Sequence, residues 1–162
     1  MANFNLAIVK TFKREGGEKI TQTKSDRGGL TKFGISQASY PQLNIQALTE
    51  ESAYNIYRSD YWNKVDGDNI VSQFVAESIF DFAVNSGVKT AIKLAQIAVD
   101  LSDNVDGVMG EQTLAKLNSA DEKQFLANYT LAKIARYATI CNSNQEQSKF
   151  LLGWINRSLG RV

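Results

Sequence analysis

Residues 4–36 read FNLAIVKTFKREGGEKITQTKSDRGGLTKFGIS, a helix-prone run, a glycine break and two β-prone runs. Ile8 and Phe12 stand four apart and Leu6 and Val9 three apart, so residues 4–14 should form a helix with one apolar face. Gly16-Gly17 should end it, because glycine weakens a helix and accepts left-handed dihedrals. The runs at 20–23 and 31–36 flank Asp26-Arg27-Gly28-Gly29 and read as a hairpin or an irregular β-lobe. Glu15 is thereby left where the helix stops, with a turn beside it and the β-lobe opposite.

Working outward, the rest of the chain reads as helix. Thr49 followed by Glu50 and Glu51 is a helix start, a capping hydroxyl and then acids at the positive end of the dipole. That helix should reach residue 62, with Ala53, Ile56, Tyr57 and Tyr61 as inner or cleft positions. A strongly apolar helix is expected over 71–85, ending at Gly87, and another over 88–101. After a polar turn containing Asp106-Gly107, a short helix is expected over 111–117. Ser119 and Glu122 match a capping box opening a long helix to about residue 141. A last helix is expected over 145–159. The class is mostly helical α+β, with one small β element near the N-terminus.

Composition narrows the chemistry. The 162 residues carry 18 basic and 17 acidic side chains, so there is no whole-molecule case for nucleic-acid binding. Charge is uneven along the chain, at a net +4 over 1–40, −6 over 41–118 and +3 over 119–162. Two basic ends around an acidic middle suit a polyanionic surface, and also suit ordinary solubility. There is no histidine, which removes imidazole bases and metal ligands, and the single Cys141 reads as a packed thiol. The remaining chemistry is that of carboxylates, Lys, Tyr, Ser and Thr, with no metal or cofactor expected. The longest apolar run near the start, Leu6 to Val9, is too short for a signal peptide or a membrane span. The chain is expected to be made in the cytoplasm as a monomer.

The candidate constellation is Glu15, Asp26 and Thr31. The negative end of a helix dipole disfavours a charged carboxylate at Glu15, a property that a general acid needs. A second carboxylate and a hydroxyl across a cleft could hold water, as in inverting glycosidases, whose carboxyls stand roughly 6.5–9.5 Å apart. A glutamate before two glycines is also an ordinary helix end, and Asp-x-Gly-Gly an ordinary turn. Tyr57, Tyr61 and Trp62 offer rings that could stack on sugar or fill a core. Asp81, inside an apolar helix, either lines the cleft or pairs with arginine. Asn85 either caps that helix or faces substrate. Trp154 reads as core, and the Asp106 turn as a structural loop.

Glu15-Gly16-Gly17, then Asp26-Arg27-Gly28-Gly29-Leu30-Thr31-Lys32-Phe33-Gly34-Ile35-Ser36, resembles the signature of glycoside hydrolase family 108, the phage-type N-acetylmuramidases. Tyr61-Trp62, Asp81-Phe82-Ala83-Val84-Asn85-Ser86-Gly87, Asp106-Gly107-Val108-Met109-Gly110 with Thr113, and Gly153-Trp154-Ile155-Asn156-Arg157 resemble further family motifs. The resemblance implies a lysozyme-like fold with a cleft. Residues 1–87 would be its catalytic half, and residues 88–162 a peptidoglycan-binding-like half packed on it. It implies cleavage of the glycan strand of bacterial peptidoglycan, with Glu15 as the acid and Asp26 and Thr31 positioning water. It also implies a phage or prophage endolysin, released to the wall through a holin. A lytic transglycosylase, or a non-catalytic wall-binding or secretion-assisting protein, fits the same motifs. One departure stands out: Glu18 occupies the position where the family usually carries an aromatic residue.

Overall fold

The structure is a computed structural model that describes residues 1–21, 29–101, 103 and 105–160. Helix α1 (Phe4–Arg14) starts at Asn3, whose side chain accepts from the Asn5 amide, and ends at Glu15. Strands β1 (Thr31–Lys32) and β2 (Ile35–Ser36) form an antiparallel pair, Thr31 opposite Ser36 and Lys32 opposite Ile35. Helices α2 (Glu50–Tyr57), α3 (Gln73–Ser86), α4 (Val88–Ala98), α5 (Glu111–Ser119), α6 (Glu122–Ser143) and α7 (Leu151–Ser158) follow. The mostly helical class with a small N-terminal β element is therefore present. No helix among the described residues is long and apolar enough to cross a membrane.

Several expected details shift. Leu6 and Val9 are exposed, and the buried face of α1 is Phe4, Ala7, Ile8 and Thr11. Four positions at three- and four-residue spacing make a tighter stripe than the one expected. The Thr49 cap is as read, its hydroxyl accepting from the Ser52 amide. The long helix, however, is capped by Asp121, which accepts from the Gln124 amide, and not by Ser119. Helix α5 runs through Ser119 and leaves it no role as a start signal. The α2 helix does not continue regularly to Trp62, because residues Arg58–Trp62 form a π-helical turn. That turn rotates Trp62 fully into the core, where its indole N–H donates to Asp68 at 2.8 Å.

Helix α3 organises the interior because it is apolar on more than one side. Phe80 meets Phe4 and Trp62 at ring separations of 5.7 and 5.5 Å. Two positions on, Phe82 meets Tyr129 and Tyr137 of α6 at 6.0 and 6.3 Å. One buried cluster thus draws on both halves of the chain. Gly87, at φ 87°, turns α3 directly into α4. Cys141 is buried, a packed thiol as read. The Asp106 turn is a structural loop: its carboxylate accepts from Gln96 Nε2 and the Val108 amide, and Gln96 accepts from the Gly107 amide.

Gly67 is buried flat against the Trp62 indole, and a Cβ there would overlap the ring. Gly67→Ala is expected to lower stability by about 1–3 kcal/mol, as overpacked core sites do. Urea unfolding measures this, and an unchanged midpoint would show the indole free to yield.

Candidate active site

Glu15 is the C-cap of α1, its amide donating to Thr11 O at 2.9 Å. Gly16 and Gly17 follow at φ 85° and 58°, and the chain turns at once. The hairpin docks on that turn through the Phe33 amide, which donates to Gly17 O at 2.9 Å. Phe33 and Gly34 are the two central residues of the β1–β2 connection, at φ 53° and 76°. Two positive φ values in a two-residue connection are the requirement of a type I′ hairpin turn. A phenylalanine in that region is strained, at a cost of about 1–3 kcal/mol. Its burial, its contact with Phe12 at 5.5 Å and the Tyr57 hydroxyl on its carbonyl at 2.8 Å offset that cost.

The strained turn lies directly against the acid. A Cβ on Gly34 would come 2.7 Å from Glu15 Cβ and 2.7 Å from the Tyr57 hydroxyl. Glycine is therefore demanded twice at Gly34, by dihedral and by space. The result is a side wall that fixes the Glu15 stem and leaves the side chain one-fifth exposed.

Charge around that carboxylate comes from the far end of the sequence. Arg157 of α7 donates through Nη2 to Glu15 Oε1 at 2.8 Å. The same guanidinium donates to both oxygens of Asp81, at 3.0 and 3.2 Å. Arg14 completes the chain of charges, 2.9 Å from Asp81 Oδ1. Burial opposes the Arg157 charge, but the two carboxylates outweigh it and push its pKa above the usual arginine value. Contrary to the dipole argument taken alone, Glu15 thus faces a cation.

Behind this network lies a cavity of about 170 Å³, bordered by Thr11, Arg14, Ser78, Asp81, Lys133 and Arg157. Lys133 is 4% exposed, its ammonium 3.0 Å from Ser78 Oγ and 4.3 Å from the Tyr129 ring centre. Burial lowers its pKa to about 8, against the pull of Asp81. Burial also raises the Tyr57 hydroxyl, with Glu15 the next contributor, so Tyr57 stays a neutral donor. In front, a groove of about 630 Å³ runs along Lys13, Arg14, Asn85, Trp154 and Arg157.

The predicted residues fare unequally. Glu15 and Thr31 belong to the same turn-and-hairpin unit, Thr31 paired with Thr21 and Ser36. Asp26 lies outside the described residues, so the Glu15–Asp26 pairing has no geometry here. Asn85 is exposed and borders the front groove. Asp81 takes the arginine-paired alternative, both oxygens being occupied. Tyr57 and Trp62 must be corrected as sugar platforms, since both are buried in the core. Tyr61 is half-buried, packed 5.7 Å from Tyr57. Trp154, read as core, has one face stacked on Tyr137 at 5.2 Å and borders the groove. Glu18 is exposed beside Gly17 and Phe33, on the rim of another hollow. Arg157, Arg14 and Lys133 were not anticipated as site residues, although Arg157 closes the Gly153–Arg157 motif.

Removing the cation should leave Asp81 and Glu15 undercompensated. Arg157→Gln is expected to cost about 2 kcal/mol, between exposed and fully buried ion pairs. Urea denaturation reads this, and a loss no greater than that of an exposed-residue control would refute the network's role. Lys133 gives a pH signature. Its folded pKa of about 8 lies below the ordinary 10.5, so folding releases its proton between those values. The stability of wild type relative to Lys133→Met should rise with pH across that window, by up to about 1.4 kcal/mol per unit. A flat difference would contradict it.

The Glycosyl hydrolase 108 family model matches residues 8–87, which hold the Glu15 turn, the hairpin and Asp81. The Predicted Peptidoglycan domain model matches residues 91–159, which hold Lys133, Trp154 and Arg157. No curated protein matches the chain significantly. Among solved structures, that of Brucella abortus SagA is similar over 97% of this chain and 94% of its own, at 29% identity and a TM-score of 0.75. The mostly helical architecture with its two-stranded sheet is thus a lysozyme-like fold shared with that protein. The chain belongs to glycosyl hydrolase family 108 through residues 8–87, and the predicted peptidoglycan domain joined to them makes it a peptidoglycan-acting hydrolase.

Proposed function

We propose that the protein is an N-acetylmuramidase that hydrolyses the β-1,4 bond from N-acetylmuramic acid to N-acetylglucosamine, with Glu15 as general acid. The observation that carries this reading is the placement of Glu15. It is a partly exposed carboxylate at a helix stop, held on one side by Gly34 and the Tyr57 hydroxyl and on the other by Arg157. A proton donor must be fixed in position and open to the substrate; Gly34 and Arg157 fix the Glu15 side chain, and one-fifth of it is exposed.

Arg157 anchors the Glu15 carboxylate through Nη2, and its second partner, Asp81, holds the same guanidinium in place through both oxygens. No imidazole is present, and the acid's behaviour is set by one cation, one hairpin wall and one helix end. Thr31, in the strand facing the turn, suits the positioning of water, with Asp26 as the base on the resemblance. That pairing corresponds to inversion at the anomeric carbon.

Glu15→Gln should retain the fold by circular dichroism and lose about 10²–10⁴-fold in rate, the usual contribution of a general acid. Clearing of outer-membrane-permeabilised cells measures the rate, and undiminished clearing removes Glu15 from the mechanism. Mass spectrometry of the products should show free reducing muramic acid ends, whereas 1,6-anhydro ends would replace hydrolysis by transglycosylation. Proton NMR of the first-formed anomer should show inversion, and retention would refute water positioning by Asp26 and Thr31.

A further inference from the structure

On the outer side of α4 and α6 lies a groove of about 350 Å³ that the chemistry of Glu15 does not use. Lys89, Lys93 and Arg136 border it together with Thr90, over Leu94 and Ile97. A neighbouring hollow of about 290 Å³ continues it along Ala132 and Ala135, sharing Leu94, Ile97 and Arg136. Among the described residues, three cations and no carboxylate line the first hollow. Asp106 is close enough for its charge to be felt by Lys89, but its Oδ1 is already engaged by Gln96 and the Val108 amide.

Two further features mark this cluster as more than a solvated basic face. Lys89 lies in the first turn of α4, where the helix dipole disfavours a cation, and Lys93 lies one turn further on. That helix has no acid in its first turn and no side-chain cap at Gly87. Arg136 Nε is shielded from solvent and has no hydrogen-bond partner, so the guanidinium borders both hollows with a donor unused. Among the described residues Asp106 is the one acid felt at this cluster, and a basic helix start beside an unpaired guanidinium nitrogen points to a partner outside the protein.

We propose that this groove binds the acidic peptide stem of peptidoglycan. Stem carboxylates would pair with Lys89, Lys93 and Arg136, and alanine methyl groups would lie over Leu94 and Ile97, of which Ile97 is half-exposed. Charge complementarity selects this occupant, because a stem peptide combines closely spaced carboxylates with small apolar side chains. The proposal rests on the chain acting on peptidoglycan, but not on the role of Glu15. It makes the second half a reader of the peptide while the first half works on the sugar.

The test uses the full chain and the free tripeptide L-Ala-γ-D-Glu-meso-diaminopimelate, followed by NMR amide shifts and calorimetry. Binding should perturb amides at the α4–α6 groove and weaken with added salt. It should weaken by at least about tenfold in Lys89→Ser/Lys93→Ser and in Arg136→Gln. The carboxamide form of the peptide should not bind. Equal affinity in the double variant, equal binding of the amidated peptide, or perturbation centred on Asn85 and Trp154 would each overturn the proposal. So would equally tight binding of polyphosphate, which would make the groove a general polyanion surface. Glu15→Gln should bind the tripeptide like wild type. On intact walls the double variant should be slower than wild type, and on glycan strands stripped of stems it should be equal. A wild type that binds the tripeptide but cleaves neither substrate would refute the muramidase reading and leave this one standing.

Discussion

The guanidinium of Arg157, shared between Glu15 and Asp81, joins residues 142 and 76 positions apart in sequence. Each of the three side chains is largely shielded from water, and a charge in that setting is tolerated only with a partner. Asp81 is balanced by Arg14 and Arg157 together, and Glu15, among the described residues, by Arg157. The packing of α7 on the rest of the molecule is therefore an electrostatic condition on the acid as well as a hydrophobic contact. Lys133, buried beneath the same network, adds a third cation and makes the region sensitive to alkaline pH.

The other constraint on the acid is steric. A glycine pair lets α1 end abruptly, and a type I′ turn with a strained Phe33 presses Gly34 against the Glu15 stem. Strain of this kind persists only where neighbours over-determine it. Here the Phe12 ring, the Tyr57 hydroxyl and the Gly17 carbonyl all hold the turn. A small β element with two residues per strand thus acts as a rigid wall because it is anchored at three points.

Much of this was legible in residue order. The bounds of α1, the Thr49 cap and the glycine stop follow from local chemistry that acts over three or four residues. The same short-range logic failed at the start of the long helix. Ser119 reads as its cap, yet α5 runs through Ser119 and Asp121 caps α6 in its place. The π-helical turn at Arg58–Trp62 carries no periodic signature, so Tyr57 and Trp62 read as candidate sugar platforms although both face inward. Which arginine meets Asp81 and Glu15 was not legible, because pairing over 76 and 142 positions has no spacing to detect. Asp81 showed only as a charge in an apolar helix needing a partner, and the partner's identity required three dimensions.

Helix α3 packs its Phe80 into one half and its Phe82 into the other, and α7 returns an arginine to the first half's acid. The second half is consequently no interchangeable targeting tag. A chimera that swapped it for a foreign wall-recognition module would strip one face from the central helix and remove the counter-ion of Glu15. Any transplant of this hydrolase has to carry both halves, or rebuild an arginine at the same point in space.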